Sequence, residues 1–274
     1  MSNVTLSAGV RQNLLSLQQI SQQLTNTQEH LATGKKVNSA LDNATEFFTA
    51  QGLDTRANDL SSLLDGITNG INTIQAANNG ITAIDKLVQS AQSIVTQAQQ
   101  STDPTTYASL GTQYNNLLSQ IDQLAKDSSF NGVNLLNGNS LTLTLDEAAS
   151  NPTTLTIAAT TATSAGLSLT AVTWTTASVA TDFAAAATQL SSALTTLQTD
   201  SSTLSSNLQT IQIRSDFTQS MINTLQTGAG DLVNADSNEE GANLLALQTQ
   251  QSLSTTALSL AAQSDRNVLK LFGG

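Results

Sequence analysis

Two seams of apolar residues, each repeating at every seventh position, organise this chain. Leu53, Leu60, Ile67, Ile74, Ile81, Val88 and Val95 form the first. Phe183, Leu190, Leu197, Leu204 and Ile211 form the second, continued by Thr218 and Leu225. A residue seven positions on returns to the same side of an α-helix after two turns, so a seam this long asks for a partner helix along its length. The helix carrying the first seam would run roughly 80 Å at ~1.5 Å per residue. That is a rod, and rods are scaffolds or filaments more often than enzymes.

The flanking pattern supplies the other elements. A first helix over about 3–33 places Val10, Leu17, Leu24 and Leu31 at sevenfold spacing, with Leu14 and Ile20 on the same stripe. Gly34-Lys35-Lys36 ends it: glycine suits the position after a helix, and lysine suits its negative end. Asp42 or Asn43 caps a long second helix reaching about residue 99. Asp103-Pro104 opens a third helix to about 126, and Asn131-Gly132 and Asn137-Gly138 signal turns. The period then drops to two. Leu141, Leu143 and Leu145, then Leu155 and Ile157, then Leu167, Leu169, Ala171 and Thr173 alternate along short Thr-rich strands. A fourth helix runs over about 181–226 and stops at Gly228-Ala229-Gly230. A fifth, over about 236–271, carries Leu244, Leu247, Leu258, Ala261, Val268 and Phe272 on one stripe that Gln251, Ser254 and Asp265 interrupt.

The expected fold is therefore mainly α: long antiparallel, coiled-coil-like helical rods with a small β-hairpin region where the chain turns back. First helix pairs with last, and second and third with fourth. Two domains follow, 1–42 with 235–274, and 43–234 with its β element at about 139–175. The candidate packing residues of the terminal pair are Val10, Leu14, Leu17, Leu24, Leu31, Leu244, Leu247, Leu258, Val268 and Phe272. Those of the inner seam are Leu60, Ile67, Ile74, Ile81, Val88, Leu190, Leu197, Leu204 and Ile211.

Composition narrows the function. Only 11% of the 274 residues are charged, against roughly 25% in ordinary domains, and Ser, Thr, Asn and Gln take their place. Such side chains can face other protein surfaces without the desolvation cost of buried charge. The net charge of −11, with nine basic residues, argues against nucleic acid and against an anionic membrane surface. There is no cysteine, hence no disulfide, thiolate nucleophile or Cys-based metal site. The first ten residues lack the basic start and apolar run of a Sec-type signal, and no eighteen-residue apolar stretch occurs.

No constellation suggests catalysis. His30 is the sole histidine and reads as a helix-surface residue. Thr33-Gly34-Lys35 fails the phosphate-loop pattern, with Glu29 at its first glycine and Lys36 where Ser or Thr belongs. Glu239 and Glu240, adjacent on a helix, face different ways and read as charge at a helix N-terminus. Trp174 and Phe183 read as core fillers where the β element meets the helices. No cofactor or metal site is expected.

Three stretches resemble bacterial flagellin. Leu31-Ala32-Thr33-Gly34-Lys35-Lys36-Val37-Asn38-Ser39-Ala40-Leu41-Asp42-Asn43-Ala44 is similar to the family's signature between terminal and inner helices. Phe130-Asn131-Gly132-Val133-Asn134-Leu135-Leu136 is similar to its FNG motif. The C-terminal run from Asn234-Ala235-Asp236 through Leu247-Gln248 to Val268-Leu269-Lys270-Leu271-Phe272 matches in the same order. The resemblance implies an extracellular subunit that polymerises with itself into a helical filament driven by a rotary motor. It also implies export by the flagellar type III apparatus without a cleaved signal peptide. Its partners would then be that apparatus, an export chaperone, the filament cap and the hook-junction proteins. About 45 residues separate Asn137 from Asp182, so large outer domains are absent. Some flagellins meet an innate receptor through an Arg-rich stretch on the second helix; here the corresponding Gln89–Gln97 has no arginine. A hook–filament junction protein and a cytosolic coiled-coil adaptor are the alternatives, the latter disfavoured by the scarcity of Glu and Lys.

Overall fold

The computed structural model describes residues 8–147, 150–175 and 179–272. Five helices and one hairpin follow in order: α1 (Ala8–Thr33), α2 (Ala44–Gln100), α3 (Pro104–Asp127), β1 (Leu141–Thr144), β2 (Thr154–Ile157), α4 (Val179–Val233) and α5 (Ser237–Phe272). The chain divides into two compact units. One takes Met1–Thr55 with Thr224–Gly274, the other Arg56–Asn223. The first turns of α2 and the last of α4 thus belong with the terminal helices, beyond the boundaries at 42 and 235 that the sequence suggests.

Within the Arg56–Asn223 unit, α2, α3 and α4 share one core. Ile67, Ile74, Ile81, Val88, Leu190, Leu197, Leu204 and Ile211 are all buried, as is Leu60. Asn78 meets Ser201 and Ser205 midway, while Phe183 near the start of α4 stacks on Tyr107 beside the α2–α3 turn. So α4 runs antiparallel to α2. The helix starts are set by side chains: Asn43 Oδ1 accepts from Glu46 N at the head of α2, and Asp103 accepts from Thr105 N ahead of Pro104. Asp42 does not cap α2; its carboxylate binds backward, to Asn38 N and Ser39 N.

Phe130, Asn131 and Gly132 build a tight turn. Phe130 and Val133 exchange both backbone hydrogen bonds, with Asn131 at φ 48° and Gly132 at φ 80°. Positive φ at both central residues is the requirement that Asn-Gly meets. The turn returns buried Asn134 onto the end of α3, where its amide donates to Ala125 O and Lys126 O. Leu135 and Leu136 then enter the core. Two glycines inside α2 receive these elements: a Cβ at Gly80 would lie 2.7 Å from Leu136 Cδ1, and one at Gly70 would lie 2.6 Å from Leu143 Cδ1.

Two expectations require correction. The alternating stretch at Leu167–Thr173 is not a strand; only β1 and β2 pair, antiparallel, with Leu143 opposite Leu155. Its backbone groups bond instead within local turns, where Leu167 N donates to Thr163 O and Leu169 N to Ser164 O, and to side chains. Asp122 accepts from Ser164 N, Asn115 brackets Val172 through both its N–H and its C=O, and Gln189 accepts from Thr170 N. Leu167, Leu169 and Trp174 are buried all the same, so alternation here records burial without a ladder. Trp174 packs edge-on against Phe183 and tilted against Tyr114.

The second correction concerns α4, which runs through Gly228-Ala229-Gly230 to Val233. Each interior glycine costs about 1 kcal/mol relative to alanine. That is offset by the burial of Ala229 and by an ending that satisfies the last carbonyls: Lys36 N and Val37 N both donate to Val233 O.

Candidate assembly interface

Helices α1 and α5 pack against each other. On α1 the covered stripe holds Val10, Ile20, Leu24 and Thr27, all buried, with Leu17 and Leu31 half-buried. Leu14 lies at its edge, 39% exposed, and Leu15 lies outside it. On α5, Leu244, Leu247, Leu258 and Ala261 are half-buried, and so are Gln251 and Ser254 between them. The polar interruptions of the seam therefore sit on the covered stripe. Val268 and Phe272 stand at the end of α5, and their side chains, like that of Asp265, lie outside the described residues.

The opposite side of α5 carries a second apolar stripe, which sevenfold spacing along the first does not reveal. Leu245, Leu253 and Leu260 are each about two-thirds exposed. At about 100° per residue they fall within roughly 80° of one another and face away from Leu244, Leu247 and Leu258. The signal is present in the sequence as a run of leucines too wide for one face.

Between the helices, the connecting segments form a clasp. Gly34 takes φ 70° and its N–H donates to His30 O, closing α1. Lys35 then bridges Asn234, Ala235 N donates to Gly34 O, and the Lys36 ammonium donates to Asp231 O. Lys36 thus serves the negative end of α4, not that of α1. His30 is half-buried, its Nδ1 2.8 Å from Glu240 Oε1, so it ties the end of α1 to the start of α5. Asp42 holds the loop: its Oδ2 accepts from Asn38 N, Ser39 N and Ser39 Oγ. Those amides, Ser39 first and then Asn38, hold its carboxyl below the usual carboxylate range.

Among the described residues, no group of three or more His, Asp or Glu side chains is placed to hold a metal ion, and no helix is long and apolar enough to cross a membrane.

Comparison with known proteins agrees with this arrangement. Residues 7–140 match the model of the bacterial flagellin N-terminal helical region. The chain is 32% identical to flagellin FljN of Caulobacter vibrioides over 99% of both chains, and 32% identical to its flagellin FljK over the same extent. The chain belongs to the bacterial flagellin family. A flagellin of Aquifex aeolicus matches at 32% over 51% of this chain and 27% of its own. The crystal structure of Bacillus cereus flagellin, 20% identical, covers 55% of this chain and 86% of that one at a TM-score of 0.46. Within this flagellin both the Phe130-Asn131-Gly132 turn and the 34–42 loop have tight backbone geometry and fall inside the span that the family model matches.

Proposed function

We propose that this flagellin polymerises through its α1–α5 pair, as the structural subunit of a bacterial flagellar filament. The observation that carries the reading is the open stripe of Leu245, Leu253 and Leu260, opposite the side that α1 covers. A helix pair with apolar residues on two opposite sides satisfies one within the chain and leaves the other for neighbours. A contact between unlike surfaces repeats from copy to copy, and where its rotation does not close it makes a helix. Residues 12–28 and 241–264 contain no charged side chain, so copies can crowd there without burying charge.

The finer reading places the filament outside the cell. The chain passes through the flagellar export apparatus with the help of a chaperone and adds beneath the cap, beyond the hook-junction proteins. The absence of cysteine supports passage as an unfolded chain, which crosslinks would hinder. Nothing in the fold or the comparisons favours a hook–filament junction protein or a cytosolic adaptor.

The test is seeded polymerisation of the purified chain, followed by negative-stain microscopy. Long helical filaments are expected. Monomers or closed rings after seeding would contradict the reading.

A further inference from the structure

Two exposed apolar features lie outside the terminal helix pair. Leu41 is 97% exposed at the tip of the 38–42 turn. The turn is braced: Asp42 Oδ2 holds Asn38 N and Ser39 N, Leu41 N donates to Ser39 Oγ, and Asp42 N donates to Ser39 O. An apolar side chain held out to water on a braced turn contributes nothing to its own chain. The second feature is on α4, where Ile213 and Phe217 stand one turn apart, 69% and 55% exposed.

The charges beside the two features are complementary. Asp42 follows Leu41 directly, its Oδ2 holding the turn and its carboxylate exposed, and Lys35 precedes the turn in sequence; on α4, Arg214 and Asp216 lie between Ile213 and Phe217, both exposed. Among the described residues, none of Lys35, Arg214 and Asp216 makes an ion pair. A second copy of this chain offers both halves: knob with carboxylate and ammonium, seat with guanidinium and carboxylate.

We propose that Leu41 of one copy seats on Ile213 and Phe217 of a second copy, with Asp42 facing Arg214 and Lys35 facing Asp216. Knob and seat are different surfaces, so the contact can pass from copy to copy, as an open helix requires. The inference rests on the filament reading and adds to it a contact outside the terminal helices.

Because the chain has no cysteine, crosslinking tests it directly. Leu41→Cys and Phe217→Cys single variants are mixed in equal amounts, polymerised on wild-type seeds and oxidised. A disulfide-linked pair of the two variants is expected in filaments and absent from the unpolymerised mixture, and a chain carrying both substitutions gives a ladder of covalent multimers. Separately, Leu41→Asp leaves the monomer's melting unchanged and raises the critical concentration for seeded growth by about tenfold or more, the factor for losing one buried leucine contact. Filaments that form without the mixed crosslink, crosslinking of Leu41→Cys to itself, or wild-type critical concentration for Leu41→Asp each overturn the contact while leaving the filament reading standing. Failure of the wild-type chain to grow on seeds removes both.

Discussion

Ile74 on α2 and Leu247 on α5 both belong to apolar helix stripes, yet they end in different surroundings. Ile74 is fully buried in the core shared by α2, α3 and α4. Leu247 is half-covered, and no described side chain of α5 is fully buried. The inner seam's core also takes in Leu135 and Leu136 from the segment before β1 and Trp174 from the segment after β2. The terminal pair has one partner for each helix. Most helical stability in proteins comes from tertiary packing of an apolar face, so the inner unit carries its own stability, whereas on the proposed reading the terminal pair would draw part of its order from neighbours. The same physics thus gives one region a folded core and leaves the other the face proposed for assembly.

The sharpest way to break that comparison is to remove the terminal pair. Deleting residues 1–30 or 245–274 is expected to abolish seeded polymerisation while the Arg56–Asn223 unit keeps its helical circular dichroism and its cooperative melt. Normal filament growth from either truncation would show that assembly lies elsewhere.

Ile74→Asp tests the other side. It places an unpaired carboxylate in a packed core, a change that costs several kcal/mol, about 3–5 by the usual scale. Thermal or denaturant unfolding should register most of that loss. Leu247→Asp, on a half-covered stripe, is expected to cost less in the monomer and more in assembly. Equal losses for the two substitutions would erase the distinction between core and assembly face.

Sevenfold spacing makes the inner core legible from sequence, because Ile67, Ile74, Ile81 and their partners on α4 satisfy a single geometric rule. Capping and turn chemistry narrows the start of α2 to Asp42 or Asn43 and locates Asp103-Pro104 and Asn131-Gly132 for the same reason: each is a local rule with a local answer. What stays hidden depends on contacts distant in sequence. The run from Leu167 alternates, but its backbone at Thr170 and Val172 bonds to Gln189 and Asn115, which no local pattern reports. The Gly228 and Gly230 signal for a helix end is overridden by Lys36 and Val37 arriving from the opposite end of the chain. Gly70 and Gly80 sit where Leu143 and Leu136 approach α2 closely, whereas Gly52 and Gly66 on the same helix face open space, so a glycine in the sequence does not by itself tell the two cases apart. In the candidate interface the covered stripe is readable, whereas the exposure of Leu245, Leu253 and Leu260 depends on which side α1 occupies.

A smaller effect sharpens the view of the inner core. Tyr114 is buried with its hydroxyl unpartnered, and burial pushes its pKa up to about 12 from the ordinary 10. The neutral phenol is thereby favoured in the folded state. Stability from this group is fully present below pH 10 and is lost as pH rises from 10 towards 12, because only the unfolded chain releases the proton in that window. Tyr114→Phe is expected to be neutral or slightly stabilising at about pH 7, since it removes a buried hydroxyl without a partner. It should also flatten the alkaline decline. The single tryptophan, Trp174, packs on Tyr114, so its fluorescence follows both effects. An unchanged alkaline slope in the variant would mean that another group governs it.

The smallest expected effect concerns the terminal pair itself. Gln251 is half-buried on the stripe that α1 covers, and among the described residues its amide has no hydrogen-bond partner. A polar side chain there weakens the pairing of α1 with α5 in the isolated subunit, in keeping with a region completed by its neighbours. Gln251→Leu replaces it with an apolar side chain of similar length and sacrifices no bond. The pair should gain about 0.5–1 kcal/mol, the scale for partial burial of added apolar surface. Hydrogen exchange of the amides around Leu24 and Leu247 is the measurement to use, because slower exchange there separates a local gain from a change in the inner core. The inner unit's melt should not move. If exchange around Leu24 is unchanged or faster, Gln251 is bonded or faces water in solution, and the marginal pairing of α1 with α5 must come from the thin apolar stripe alone.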